Sequence, residues 1–524
     1  MDFDIAIVGS GFGGSLLAMI ARRLGRSVIL LERGQHPRFA IGESSTPLAN
    51  LLLEEFALRY DLPRLLPLAK WGTWRKEYPT LGCGLKRGFT FFHHIPGLPW
   101  RQTPRRENQL LVGASPHDRI ADTHWYRPDF DHFLVREAQA QGVDYVDQVT
   151  LEKPELSAAG VTLRGQRAGA TTQSWSARLL VDASGPRGFL HHALKLPENT
   201  FPHLPATQGL CTHFSGVRRL EDICPPDSTP PYPIDDAAVH HVFEGGWLWV
   251  LRFNNGITSA GVAATAQWAD KLSLAEGAPG WERLLEQLPS VHEQFSDAKA
   301  LLPFRHAPRL SFRSGAAAGQ NWAMLPSAAG FVDPLLSTGF PLTLLGIGRL
   351  AEIIEQDWNS ERLTARLETC ERQTFQELDA AELMVAALYA NLSDFPLFSA
   401  LSLLYFAAAS FTEAARRLGR PELAGDSFLL GEHTNFGPES SACLLRALTS
   451  LDIGEKQKLI AQIQKTIEPV DVAGLGDPSR HNWFPADASD LLKAAPKLRA
   501  SEADIQVMLA RCGIDSISRD AMPA

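Results

Sequence analysis

The chain has 524 residues, 45% hydrophobic and 21% charged, the proportions of an ordinary soluble globular protein with room for two or three subdomains. Its net charge of −9 gives no general attraction to nucleic acid or an anionic membrane, and both are excluded as partners. Six cysteines, at 83, 211, 224, 370, 443 and 512, show no CxxC pair and no metal-ligand spacing, so they read as thiols of a reducing compartment.

The stretch from Asp4 to Arg33 reads as strand, glycine turn, helix, strand and acidic end. Ile5 to Val8 is an unbroken apolar run, as suits a parallel strand buried on both faces. The turn follows as Gly9-Ser10-Gly11-Phe12-Gly13-Gly14. Its first glycine allows a tight turn, its second lets backbone approach a pyrophosphate, and Gly14 lets the helix pack on the strand. Val28 to Leu31 make the next strand, and Glu32, with Arg33 beside it, closes that strand where a carboxylate accepts from an adenosine ribose. This order of elements specifies a dinucleotide site, with NAD or FAD left open. A chain that begins on such a strand leaves no room for a signal peptide, and the expected location is cytoplasmic.

Gly42-Glu43-Ser44-Ser45-Thr46-Pro47 is a polar loop suited to run beside an isoalloxazine, or equally to cap the helix expected over 48–66. From Trp71 to Trp100, aromatic residues broken by Gly and Pro suggest short strands and loops lining a pocket. Within them 85–92 alternates like a strand, placing Lys86 on a face with Gly88, Thr90 and Phe92. The lysine either faces the pocket or snorkels from an edge. A helix opens at Arg127-Pro128, and the strand ending at Asp182 leads through Ser184 and Gly185 into a turn able to hold part of a cofactor. Residues 200–312 read mainly as β, with 239–243 and 247–253 paired about a glycine turn. From Asn321 the chain returns to the first domain, and the loop Phe331 to Gly339 runs into a helix over 341–358 whose first amides can face a flavin or a small anion. Pro396 to Phe411, shorter than a bilayer span, reads as a buried helix or an interfacial patch, and no membrane span is expected.

Four separated pieces resemble the flavin-dependent halogenases: the glycine turn with Glu32, the Gly42-Glu43-Ser44 strap with Ser45 following it as a further cofactor-side residue, Gly246-Trp247-Leu248-Trp249, and the loop from Ser327 to Gly339. The resemblance implies a two-component enzyme using reduced FAD from a separate flavin reductase, with O2 and chloride or bromide. Asp333 and Pro334 then lie on the flavin side with Arg127, Asp182 and Gly185, and Ser337, Thr338 and Gly339 cradle the halide. Lys86 falls where the family carries the lysine that meets hypohalous acid. Trp247 and Trp249 flank the tunnel or form sheet core. Phe91 lines the substrate side, where His93 and His94 are candidate bases. The sequence departs from the family's Trp-x-Trp signature after Trp249, reading Val250-Leu251-Arg252. Leu336 stands where tryptophan-specific members carry a glutamate, which points to a small phenol, pyrrole or indole-type aromatic, free or on a carrier protein. An FAD monooxygenase, a flavin reductase and a non-catalytic flavoprotein are the competing readings.

The expected fold is α/β (α+β): a Rossmann-like FAD-binding domain over 1–200 and 313–358, an inserted antiparallel β-sheet over 201–312 for the substrate, and a helical C-terminal region over 359–524 capping it.

Overall fold

The computed structural model describes residues 2–167 and 171–514, so the end of the C-terminal region lies outside the described residues. Phe3–Val8 pairs in parallel with Val28–Leu31 on one side and Gln173–Asp182 on the other. Asp144–Val146 and Trp322–Met324 extend this parallel set outward, so the chain does return to the first sheet after 313. Ile5, Ala6 and Ile7 are fully buried because side chains from both layers cover them, which is why the strand needs no polar alternation. The helix Phe12–Arg23 packs so closely that a Cβ on Gly14 would lie 1.9 Å from the Gly9 carbonyl oxygen. Only glycine starts a helix there.

The second sheet is antiparallel through Thr207–Ser215, Thr258–Thr265, Gly246–Arg252 and Ala238–Phe243. It does not stay within 201–312. Ala238–Phe243 pairs in parallel with Gly88–His94, which pairs with Gln109–Gly113, and Trp483–Phe484 closes that edge. The apolar Gly88–His94 is buried almost throughout and needs a strand on each side, so the sheet gathers three separated segments. Four helices, Leu220–Ile223, Ala266–Leu272, Ala278–Gln287 and Pro289–Gln294, interrupt the expected β region, and Trp71–Glu77 is a helix rather than pocket-lining strand.

The two faces of this sheet meet different cores. Phe89, Phe91, Trp247 and Trp249 face the core shared with the first domain and the C-terminal helices. Phe92, Phe243, Leu248 and Val250 pack with Trp281 and Leu284 in a separate core. Leu363–Ala390 and Phe395–Arg417 cover the first face. Phe395–Arg417 is longer than the apolar stretch suggests and is long and apolar enough to cross a membrane, yet 83% of its apolar window is buried inside the protein.

Candidate active site

The glycine turn faces two guanidinium groups. A Cβ built on Gly11 would lie 3.5 Å from an Arg127 nitrogen, 3.7 Å from an Asp131 carboxylate oxygen and 3.9 Å from an Arg38 nitrogen, a setting of two cations and one carboxylate with net positive charge toward a pyrophosphate. Arg127 also grips Asp131 with two bonds of 2.7 and 2.8 Å and donates to the carbonyls of Ile41 and Gly42, fixing the start of the strap. Glu32 accepts from Ser10 N–H and Gly34 N–H. Burial opposes its ionised form, but Arg38 and these amides prevail and hold the carboxyl below its ordinary range. Arg33 is exposed; Arg38, missed in the sequence, stands beside Glu32 instead. Asp182 is fully buried. It accepts from Ser184 N–H and Leu190 N–H, tying its own turn to the next helix, while Gly185 beside it, at φ +87°, borders open space.

The loop after Val332 carries the clearest strain. Leu336 and Ser337 both sit at positive φ, 64° and 55°, a conformation costly for non-glycine residues. Tyr405 holds it by donating to the Leu336 carbonyl at 2.8 Å, and Asp333 by accepting from Leu335 N–H. Asp333 is also the acceptor for Tyr389 O–H at 2.9 Å and Trp247 Nε1–H at 3.2 Å. Burial raises its carboxyl to about 7 against those three donors. Ser327, Gly330, Asp333, Thr338, Gly339 and Thr343 are among the residues lining a cavity of about 40 Å³, and Gly339 has no atom within 4 Å of a built Cβ. Pro334 lies half-buried on this loop. Trp247 thus bonds into the loop rather than merely filling sheet core, and its ring lies 5.6 Å from that of Trp249.

Lys86 is completely buried. Its Nζ donates to Ser44 Oγ at 2.9 Å and to the Ser45 carbonyl at 2.5 Å, and lies 3.7 Å from the Phe89 ring centroid. The strap therefore touches the arginine site at Gly42 and the lysine at Ser44. Glu43, between them, bonds His213 at 2.8 Å. Burial drives the Lys86 ammonium down to about 7, with Asp122 pulling the other way. The alternation read through 85–92 is corrected: Arg87 breaks the strand, so Lys86 lies with Phe89 rather than with Thr90 and Phe92.

The histidines separate. His93 is half-buried and stacks on Phe395 at 5.3 Å on the Phe91 side. His94 is on the opposite face, bonded to His241 at 2.9 Å, and is corrected as a site residue. His240, missed in the sequence, stacks on Phe91 at 4.4 Å and lies 5.2 Å from Trp247. Burial pushes it down to about 3, so it stays neutral. Its signal was available, since it shares parity with Trp247 across a hairpin.

The family model for tryptophan halogenase matches residues 123–398. A curated relative, monodechloroaminopyrrolnitrin halogenase PrnC of Pseudomonas fluorescens, is 30% identical over 413 residues, 77% of this chain and 70% of that one. The chain belongs to the flavin-dependent halogenases. The halogenase is also 29% identical to tetracycline 7-halogenase of Kitasatospora aureofaciens, over 78% of this chain and 73% of that one. Its fold superimposes on halogenase PltM (L111Y) in complex with FAD with a TM-score of 0.81 at 25% identity, covering 92% of the halogenase and 99% of PltM. FAD is its cofactor, and the cationic cradle at Gly11 and the open sides of Gly185 and Gly339 fit it.

Proposed function

We propose that this halogenase takes reduced FAD from a separate flavin reductase, O2, and chloride or bromide, and directs hypohalous acid through Lys86 to an electron-rich phenol, pyrrole or indole-type substrate, free or carrier-tethered. Arg127 and Arg38 hold the pyrophosphate at Gly11, Glu32 the ribose, and the loop from Asp333 to Gly339 the flavin ring and halide. When bound, reduced FAD with O2 supplies the oxidising equivalent that turns halide into hypohalous acid. The observation that carries this reading is the complete burial of Lys86, an amine bonded to the strap and seated over the Phe89 ring. A snorkelling lysine would reach water. Lys86 holds the oxidant by hydrogen bonding or as a haloamine, and keeps it from diffusing away. In either form the balance is ArH + HOX → ArX + H2O, the ring proton leaving with the hydroxide oxygen as water, while His240, kept neutral by burial, is a wall of the Phe91 side rather than its base. Leu336 brings no carboxylate to the loop, and the two relatives act, by their names, on monodechloroaminopyrrolnitrin and tetracycline rather than tryptophan.

The test is turnover with a flavin reductase, NADH, FAD and bromide on phenols, pyrroles and indoles, some loaded on a carrier, read by mass spectrometry for the bromine doublet. Lys86→Ala is expected to abolish bromination while halide-dependent oxidant still escapes to an added trap. A product that gains oxygen instead would favour a monooxygenase and sink the proposal.

A further inference from the structure

Lys86 and Asp122 are directly opposed residues of the antiparallel pair Cys83–Lys86 and Asp122–Trp125. Their relative exposures are 0% and 6%, so a cation and an acid are withdrawn from water side by side. Asp122 accepts from Asn50 Nδ2 at 2.8 Å through Oδ1, while its buried Oδ2 has no hydrogen-bond partner. Lys86 directs its hydrogen bonds at Ser44 and Ser45 and forms no direct ion pair with Asp122, so the two groups act on each other through space across the strand pair. One short segment therefore manages both groups: Ser44 and Ser45 hold the amine, and Asn50, in the first turn of the following helix Pro47–Arg59, holds the acid. A lone buried charge is expensive: burial pushes the Lys86 ammonium down to about 7 and the Asp122 carboxyl up to about 7, and the charge of each draws the other back toward its ionised form.

The remaining charged and titratable neighbours do not replace this partnership. His124 and His240 face the amine, and burial holds both well below the usual imidazole range, so they are neutral. Glu413 and Arg417 act on Asp122 from the helix Phe395–Arg417 but are bonded to each other at 2.7 Å. Asp122 is the acidic group that acts on Lys86 among the described residues.

We propose that Asp122 is the positioning residue for Lys86, the counter-charge that sets whether its amine carries a proton when hypohalous acid arrives. The inference rests on the role given to Lys86 above. No bond is made or broken by Asp122 itself; it changes the proton affinity of the nitrogen that meets the oxidant. Asp122→Asn keeps the shape and the Asn50 contact while removing the charge, so Lys86 binds its proton more weakly.

The experiment compares wild type, Lys86→Ala, Asp122→Asn and the double variant Lys86→Met/Asp122→Asn. The readouts are the pH profile of bromination and the thermal stability of each protein. Asp122→Asn is expected to move the limb set by Lys86 to lower pH by about one unit or more, whether the reaction needs the ammonium or the free amine. The double variant is expected to be more stable than Asp122→Asn alone, because it no longer buries a single charge. A limb that stays in place, or stability losses that simply add, would overturn the pairing. Should Asp122→Asn not fold, the double variant must recover folded protein, and its failure to do so also overturns the proposal. If Lys86→Ala brominates normally, the reading of Lys86 falls first; if only Asp122→Asn behaves as wild type, the lysine's role stands and this inference alone is lost.

Discussion

Replacing Tyr389 by Phe tests whether the loop at Asp333 is held by a charged network. The hydroxyl donates to Asp333 Oδ2 at 2.9 Å and accepts from Trp247 Nε1–H at 3.1 Å, and all three side chains are buried. Asp333, raised by burial from 3.8 to about 7, binds its proton more tightly folded than unfolded. Its contribution to stability is therefore fully present below about pH 4 and is lost as pH rises through about 7. At roughly 1.36 kcal/mol per unit, holding it ionised costs the fold about 4 kcal/mol at pH 8. A hydrogen bond to a charged acceptor contributes about 1.5–3 kcal/mol against about 1 for a neutral one, so Tyr389→Phe costs about 1 kcal/mol at pH 5 and about 2–3 at pH 8. Calorimetry of the FAD-free protein should show a melting temperature depressed about 1–2 °C further at pH 8 than at pH 5. Equal depressions at the two pH values, or a larger one at pH 5, would refute an ionisable Asp333 supported by Tyr389.

Two glycines should behave oppositely. Gly339→Ala adds a methyl that meets no atom within 4 Å, so the FAD-free protein should melt unchanged, while the halide KM rises about tenfold, equivalent to ~1.4 kcal/mol of lost binding. Gly14→Ala drives a methyl to 1.9 Å from a backbone oxygen and should yield no folded, FAD-retaining protein. For the histidines, His240→Leu removes the Nδ1 contact to the Thr90 carbonyl and the stack on Phe91, and should lower the melting temperature and raise the KM for a phenol more than it lowers kcat. His94→Leu should lower the melting temperature by stranding His241, yet leave turnover per folded molecule intact.

The first domain was legible because its signals are local: apolar run, glycine turn, helix, strand and acid lie within thirty residues, and Gly14 answers the carbonyl of Gly9, although Gly9, Gly11 and Gly13 face residues distant in sequence. The second sheet was not, since nothing in Gly88–His94 announces a parallel partner 150 residues away. The strap illustrates the same limit inside the site. Its hydroxyls were readable, but their engagement of Lys86, and the bond from Glu43 to His213, depend on strands distant in sequence. Tyr389 and Asp122 were illegible for that reason too: one is an ordinary helix residue, and the other matters only because its strand lies against Lys86.

The misread face of Lys86 shows how little separates a site from a core. Side chains alternate with period two along a strand, so an unbroken 85–92 would have aimed the lysine with Thr90 and Phe92, toward Trp281. Arg87 prevents this by acting as a corner. Its N–H donates to the Asp236 carbonyl, its own carbonyl accepts from Ala114 and Ser115, and its guanidinium is tied to Ser115, Pro116 and Asp118. Cys83–Lys86 then pairs with Asp122–Trp125, while Gly88–His94 joins the large sheet, and the parity between them is reset. That reset puts the amine over Phe89, beneath Ser44 and opposite Asp122. The chemistry proposed for Lys86 thus depends on Arg87, a residue that faces away from it.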